Sequence, residues 1–199
     1  YIGTQELVYS NNSPDTISRV FYHLYFNAFK PGSEMQVRAS EINDDDRSIS
    51  KKILSLDRKD YGDVRVLELL QDGAVLDIIN QETILEAGLK NPLLPGEKTT
   101  LSMRFEVNVP QQIRRSGKDS EDGVAFSMAQ WYPKLCEYDS QGWHANAYIG
   151  REFFGVWGDF DVKITLEFSH VGFNKLFKEF FTKFDMSHFN TFCRSYDIY

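Results

Sequence analysis

In one stretch of the sequence, apolar and polar residues alternate without a break over nine positions. Its apolar members are Leu101, Met103, Phe105, Val107 and Val109. An alternation with a period of two residues places all of these side chains on one face of a β-strand. A register shift of one residue would expose all of them to water. The stretch therefore predicts a strand about 30 Å long, at roughly 3.3 Å per residue, with one buried face.

Other strand patterns occur on both sides of this stretch. They are residues 5–9, 20–26, 64–70, 75–79, 83–87 and 160–166. Residues 20–26 are apolar or aromatic on both faces, which predicts a central strand covered on both sides. The dipeptide Asp72-Gly73 lies between two apolar runs and predicts a hairpin turn. No helical period is evident before residue 170, so we expect an all-β domain, either a large curved antiparallel sheet or a β-sandwich.

The end of the chain has a different pattern. Its apolar residues fall at helical spacing, at Phe173, Leu176, Phe177, Phe180, Phe181 and Phe184. This spacing predicts one short amphipathic C-terminal helix. We therefore divide the chain into a β domain, residues 1–167, and a divergent tail, residues 168–199. The apolar face of the helix has several candidate contacts: the domain's own sheet, a partner, a second copy or a membrane surface.

The net charge of the chain is unfavourable for binding nucleic acid. The formal charge is -7 and the sequence pI is about 5.1. This negative net charge would repel phosphate groups, and no stripe of basic residues offsets it. No apolar run approaches the ~20 residues that a membrane-spanning helix needs. We therefore expect neither a nucleic-acid partner nor a membrane span.

The metal-binding and nucleophilic residue types lack the spacing of known sites. Four histidines are present, and none is four residues from another. His23 lies in a buried strand pattern and is predicted to be a hydrogen-bonded core histidine, and His144 is predicted to be structural. The acidic run at residues 40–47 lacks the EF-hand spacing and predicts a solvated loop. Cys136 and Cys193 are either paired or two free thiols, and the sequence leaves this open.

Catalytic signatures for other hydrolases are also missing from the sequence. No Gly-x-Ser-x-Gly elbow is present. Two carboxylate pairs occur, Glu137 with Asp139 and Asp159 with Asp161. Alternate residues of a strand share one face, so we expect both pairs to be solvated rather than catalytic.

Aromatic residues are concentrated in residues 126–166, which contain all three tryptophans of the chain. Residues 129–131 run into Pro133, which predicts the end of a strand or a sheet edge. Residues 139–144 have turn composition around Trp143. The region therefore predicts a strand, a long irregular loop and a second strand.

Several separated motifs in this chain share one order with a known family. They are AQWYPKLCEYD at residues 129–139, GW at 142–143, GREFFGVWGDFDVKITL at 150–166, and the segments 9–15, 23–29 and 94–97. In these motifs the chain resembles the N-terminal domain of aminopeptidase N-like (gluzincin) zinc metallopeptidases, most of all a secreted bacterial branch. The resemblance covers about residues 1–167. It implies a periplasmic or extracellular location.

The resemblance implies a non-catalytic role. Zinc in this family is held by a helical His-Glu-x-x-His in a separate catalytic domain, and that signature is missing here. We therefore expect no cofactor and no catalytic residue in this chain, and a catalytic zinc peptidase domain as its partner. The family's N-terminal domain caps the catalytic domain, and a loop glutamine or glutamate helps to hold the amino terminus of the peptide substrate.

The loop residue of the family is not matched position for position. Its place falls at Val124, and the nearest suitable side chains are Glu121 and Gln130. We take these two as candidate substrate contacts, together with the aromatic residues Trp131, Tyr132 and Trp143.

Two other functions remain open at this stage. The first is a stand-alone module that binds carbohydrate or peptide on the rings of Trp131, Tyr132, Trp143 and Tyr148. The second is an interaction or assembly subunit that uses the tail helix.

Overall fold

The computed structural model describes residues 1–42, 47–150, 154–156 and 158–163. Its strands in this part of the chain are β1 (Ile2–Ser10), β2 (Ile17–His23), β3 (Asp63–Gln71), β4 (Ala74–Val75), β5 (Ile78–Gln81), β6 (Ile84–Leu93), β7 (Lys98–Asn108), β8 (Gly117–Lys118), β9 (Phe126–Ser127), β10 (Lys134–Leu135), β11 (Tyr138–Asp139) and β12 (Gly142–Trp143). Its helices are α1 (Glu34–Glu41) and α2 (Arg47–Leu54), with 3-10 turns at Tyr25–Ala28 and Arg58–Asp60.

Two antiparallel four-stranded sheets form the body of the domain. Their strand orders are β1-β7-β3-β4 and β10-β2-β6-β5, and β8–β9 and β11–β12 are separate two-stranded pairs. Buried apolar side chains from both four-stranded sheets belong to one core cluster. The predicted all-β antiparallel fold is thus confirmed, and its sheets are open rather than closed into a barrel.

The alternating stretch forms β7, which lies between β1 and β3. Its apolar residues Leu101, Met103, Phe105 and Val107 are all buried, as predicted. The register places Phe105 opposite Gly3 of β1 and opposite Val66 of β3. One long strand with a single apolar face therefore supports both of its neighbours.

The turn after β3 also has the predicted chemistry. Asp72 and Gly73 have positive φ angles of 48° and 84°, as a two-residue hairpin turn requires. The Asp72 carboxylate accepts hydrogen bonds from the Thr100 amide (2.8 Å) and the Thr99 hydroxyl (2.7 Å). Those two bonds hold the pKa of Asp72 below its usual value.

The prediction that no helix occurs before residue 170 is wrong. α1 begins after Ser33, whose hydroxyl accepts from the Gln36 amide at 3.1 Å. α1 and α2 are joined by a buried hydrogen bond from Gln36 Nε2 to the Ser50 hydroxyl at 3.1 Å. Each helix has only eight residues, about two turns, so neither repeats its apolar spacing often enough to stand out in the sequence.

Two predicted strands differ from the observed ones in the sheet that contains β2. The strand predicted at residues 20–26 ends at His23, because the Leu24 amide donates to the Thr83 carbonyl and the chain then turns. Residues 75–79 are divided between β4, which pairs with β3, and β5, which pairs with β6. β2 is nevertheless a central strand, as predicted, since it lies between β10 and β6.

The region of residues 126–166 is more irregular than predicted. Residues 129–131 and 160–163 have no strand structure, while the predicted turn before Trp143 is present between β11 and β12. Residues 43–46, 164–166 and the tail helix predicted within residues 168–199 lie outside the described residues. In the described part, both α-helices have eight residues, far fewer than the ~20 that cross a bilayer.

Candidate functional site

The candidate site is built on the irregular chain that follows β7. Ser116 fixes two of its stretches together, because its hydroxyl donates to the Ala129 carbonyl (2.6 Å) and accepts from the Ala129 amide (3.0 Å). Arg114 holds a third stretch by donating to the Gly150 carbonyl at 2.6 Å. Residues 114–116 are therefore bonded to two other segments, and the predicted candidate Gln130 follows directly after one of these contacts, at Ala129.

Gln130 has an unusual backbone and an unsatisfied side chain. Its φ angle is 54°, in the left-handed region that costs a residue with a side chain about 1 kcal/mol or more. Its amide oxygen is buried and has no hydrogen-bond partner among the described residues. A buried unpaired acceptor costs about 1–3 kcal/mol. Two unfavourable features on one residue are characteristic of a functional position rather than of a packing residue.

Two further polar atoms in the stretches that Ser116 and Ala129 belong to have no partner among the described residues. They are the hydroxyl of Tyr132 and the side-chain oxygen of Gln112, both buried. Gln112 belongs to the stretch held by Ser116, since its amide nitrogen donates to the Arg114 carbonyl at 3.1 Å. Burial raises the pKa of Tyr132 to about 12, so the phenol keeps its proton at neutral pH. Gln112 could not be singled out from the sequence, because it lies in a polar run without any distinguishing pattern.

Glu121 differs from Gln130 in its exposure and in how weakly its side chain is held. Its side chain is 94% exposed, and its carboxylate lies 3.7 Å from the Lys52 ammonium. An exposed ion pair of this length fixes a side chain only weakly. Val124, at the position that corresponds to the loop glutamine or glutamate of the resembled family, has a buried apolar side chain. Of the two acceptors predicted from sequence, Gln130 is the one that the fold holds in place.

The structure separates the three aromatic candidates into two groups. Trp131 contacts the rings of Tyr1 (5.8 Å between centroids) and Tyr132 (5.4 Å), and both Trp131 and Tyr132 lie beside Gln130 in the chain. Trp143 instead packs against Tyr9, Phe21 and Tyr138, with centroid distances of 6.2, 5.7 and 5.1 Å. Trp131 and Tyr132 thus belong to the Gln130 site, and Trp143 anchors the β11–β12 hairpin.

The four rings predicted for a stacking platform are not free surfaces. Tyr132 and Tyr148 are 9% and 7% exposed, and Tyr148 meets Tyr25 edge-on at 5.1 Å. Trp131 and Trp143 are half-buried among other rings. A module that stacks sugar rings needs open aromatic faces, so this arrangement does not favour it.

His23 is buried, as predicted, but it is not hydrogen-bonded. Its exposure is 4%, and neither ring nitrogen has a partner among the described residues. Burial, and then the nearby Lys134 ammonium, lower its pKa to about 4. His144 is structural as predicted, since its Nε2 lies 2.8 Å from Asp139 Oδ2 and its ring packs on Phe154. The sequence could not show that the neighbours of His23 would offer no acceptor.

The described residues contain no group of three or more His, Cys, Asp or Glu side chains able to hold a metal ion. Cys136 is a buried free thiol here, and Cys193 lies outside the described residues. Asp139, Asp159 and Asp161 are exposed, in agreement with their predicted solvation.

No protein-family model and no curated protein matches this sequence. Among solved structures, an M1 zinc metallopeptidase from Deinococcus radiodurans is similar at 16% identity over 64% of this chain and 22% of that chain, with a TM-score of 0.35. A mutant of an M1 zinc metallopeptidase from the same organism, bound to a Tyr-Ser-Ala substrate, is similar at 15% identity over 65% of this chain and 22% of that chain, with a TM-score of 0.36. A two-domain M1 zinc metallopeptidase mutant bound to L-arginine is similar at 15% identity over 65% of this chain and 24% of that chain, with a TM-score of 0.37. The chain spans less than a quarter of each of these structures.

Proposed function

We propose that this chain is the non-catalytic β domain of a zinc aminopeptidase, and that Gln130 holds the free amino terminus of the peptide substrate. The observation that carries the proposal is the state of Gln130, whose backbone is strained and whose amide oxygen is buried without a partner among the described residues. The order of the sequence motifs shared with that family supports the same role.

An amide oxygen suits the recognition of a peptide amino terminus. An ammonium group has three N–H donors and no acceptor, so it needs several acceptors around it. Gln130 supplies one such oxygen without a partner among the described residues, and Gln112 and Tyr132, near the two ends of the Ser116–Ala129 contact in the chain, carry two more. A half-turn about the terminal bond of Gln130 exchanges its oxygen and nitrogen at low cost, which lets the oxygen turn towards an incoming donor.

The backbone around Gln130 supports a positioning role. The hydrogen bonds between Ser116 and Ala129 fix the residue immediately before it, and Trp131 packs on Tyr1 immediately after it. A backbone fixed on both sides of Gln130 reduces the freedom that is lost on binding, and it can place the side chain reproducibly against the substrate amine.

We assign the chemistry to a separate catalytic domain that this domain caps. That domain would hold the zinc ion, since this chain lacks a His-Glu-x-x-His sequence. In this proposal the zinc ion belongs to the catalytic domain, and this chain itself binds no cofactor. This arrangement also accords with a periplasmic or extracellular location, which we infer from the same family.

A peptide titration tests the role of Gln130 directly. The chain would be titrated with trialanine and with N-acetyl-trialanine while the Gln130 side-chain resonances are followed by NMR. We expect binding of the free-amine peptide only, and at least a tenfold loss of affinity in Gln130→Leu. Gln141→Leu, at an exposed glutamine in the β11–β12 turn, is the matched control. Equal binding of both peptides, or of neither, would overturn the role.

The partnership with a catalytic domain needs a separate experiment. Antibody capture of the gene product from its native cells, followed by intact mass and zinc measurement, would identify what accompanies the domain. We expect a zinc peptidase domain, either in the same polypeptide or tightly bound to it. A captured species of 23.1 kDa without a zinc peptidase would contradict the proposal.

A further inference from the structure

His23 lies where three elements meet on the β2 side of the domain. It is paired in register with Ile84 of β6 and with Lys134 of β10. Its ring stacks on Tyr25, with 4.9 Å between centroids and 17° between planes. The groups facing it are therefore an aliphatic side chain, a phenol ring and an ammonium, and none of them gives its ring nitrogens an acceptor.

The chain after β12 covers this same region. The Tyr148 amide donates to the Thr83 hydroxyl at 3.0 Å, and the Tyr25 hydroxyl donates to the Phe154 carbonyl at 3.2 Å. Gly155 lies against Lys134, because a Cβ at Gly155 would be 2.7 Å from Lys134 Cε. We call residues 144–150 and 154–156 the cover segment. The three contacts just given are made to Thr83, Tyr25 and Lys134, which touch His23, pair with it or adjoin its β6 partner Ile84 in sequence.

We propose that His23 is an acid-sensitive latch, whose protonation releases β10 and the cover segment from β2. A neutral imidazole can be buried without partners at a smaller cost than a charged one, because it carries one N–H donor and no net charge. An imidazolium has two N–H donors that both need acceptors, and here it would also lie beside the Lys134 ammonium. Glu137 carries a carboxylate that acts on Lys134 and not on His23. The closed arrangement therefore favours the uncharged ring.

The direction of the pH effect follows from the pKa of His23, which burial and Lys134 lower from 6.5 to about 4. A histidine whose pKa is depressed in the closed form stabilises that form fully above pH 6.5. It loses the contribution as the pH falls towards 4. Between pH 7 and pH 5, these two pKa values predict that the equilibrium constant for opening rises about 20-fold.

Hydrogen exchange measured at several pH values tests the latch. The reporters are the amide of Cys136, bound to the Phe21 carbonyl at 2.8 Å, and the amide of Tyr148. Their protection factors should fall about 20-fold from pH 7 to pH 5. The amide of Met103 in β7 is the internal reference and should change much less. In His23→Phe, which keeps a ring on Tyr25 but cannot be protonated, the extra loss should disappear.

The controls separate a latch from a general loss of stability. His188→Phe removes a histidine that is distant in sequence from every residue of the latch and should keep the full pH dependence of the reporters. If His23→Phe does not fold, His23→Gln replaces it as a smaller uncharged side chain, and NMR titration of the His23 ring in the unmodified chain gives its pKa. Titration near 6.5, an unchanged pH dependence in the His23 variants, or equal loss at Met103 would each overturn the proposal.

Discussion

Asn27 and Val64 are joined by a buried hydrogen bond of 2.6 Å, from the Val64 amide to the Asn27 side-chain oxygen. The Asn27 side-chain nitrogen donates to the Glu82 carbonyl at 2.8 Å. One side chain thus connects the 3-10 turn after β2 with β3 in one sheet and with the turn before β6 in the other. The relative position of the two sheets depends on this residue.

Asn27→Ala is expected to lower the free energy of unfolding by about 3 kcal/mol, because it leaves a buried amide and a carbonyl without partners. Urea denaturation at neutral pH measures the change. Asn108→Ala is the matched control, since Asn108 also bonds two carbonyls, those of Lys59 (3.0 Å) and Tyr61 (2.7 Å), but in exposed surroundings. Its loss should stay below about 1 kcal/mol, and equal losses in the two variants would refute the argument from burial.

Gly62 and Gly88 are expected to respond in opposite directions to alanine. A Cβ at Gly62 would overlap the Phe26 carbonyl oxygen, which is backbone and cannot move away, so Gly62→Ala should destabilise by about 2–4 kcal/mol. Gly88 lies in β6, and a Cβ added there would have no atom of the described residues within 4 Å, so Gly88→Ala should be neutral or stabilise by up to about 1 kcal/mol. Thermal unfolding of both variants checks this, and a similar melting temperature for the two would contradict it.

The sheets could be predicted from sequence because their signal is local. The alternation along β7 continues over nine consecutive residues, and the Asp72-Gly73 turn needs two residues that accept positive φ angles. Both signals therefore come from residues that are adjacent in the sequence. α1 and α2 were missed because they are too short to repeat their apolar period. Their stability comes from contacts such as that between Gln36 and Ser50, which no local pattern reveals.

The candidate site was predictable only in part, because its geometry depends on contacts between distant residues. Gln130 and the Trp131-Tyr132 pair were found through a motif. The positive φ of Gln130 depends on the Ser116 contact, and the place of Trp131 depends on Tyr1, 130 positions away. For the same reason, the missing partners of His23 could not be foreseen, since they follow from which side chains β10 and the 3-10 turn bring to it.

Cys136 is expected to be almost unreactive towards thiol reagents in the folded chain. It is fully buried, and burial raises its pKa from 9.0 to about 12. At pH 8 this lowers the thiolate fraction about a thousandfold, and the thiolate is the species that attacks iodoacetamide. In a Cys193→Ser background, mass spectrometry should show slow carbamidomethylation in buffer and fast carbamidomethylation in concentrated urea, where Cys136 is exposed at about its ordinary pKa. Equal rates in the two conditions would mean that Cys136 is not buried in the folded chain.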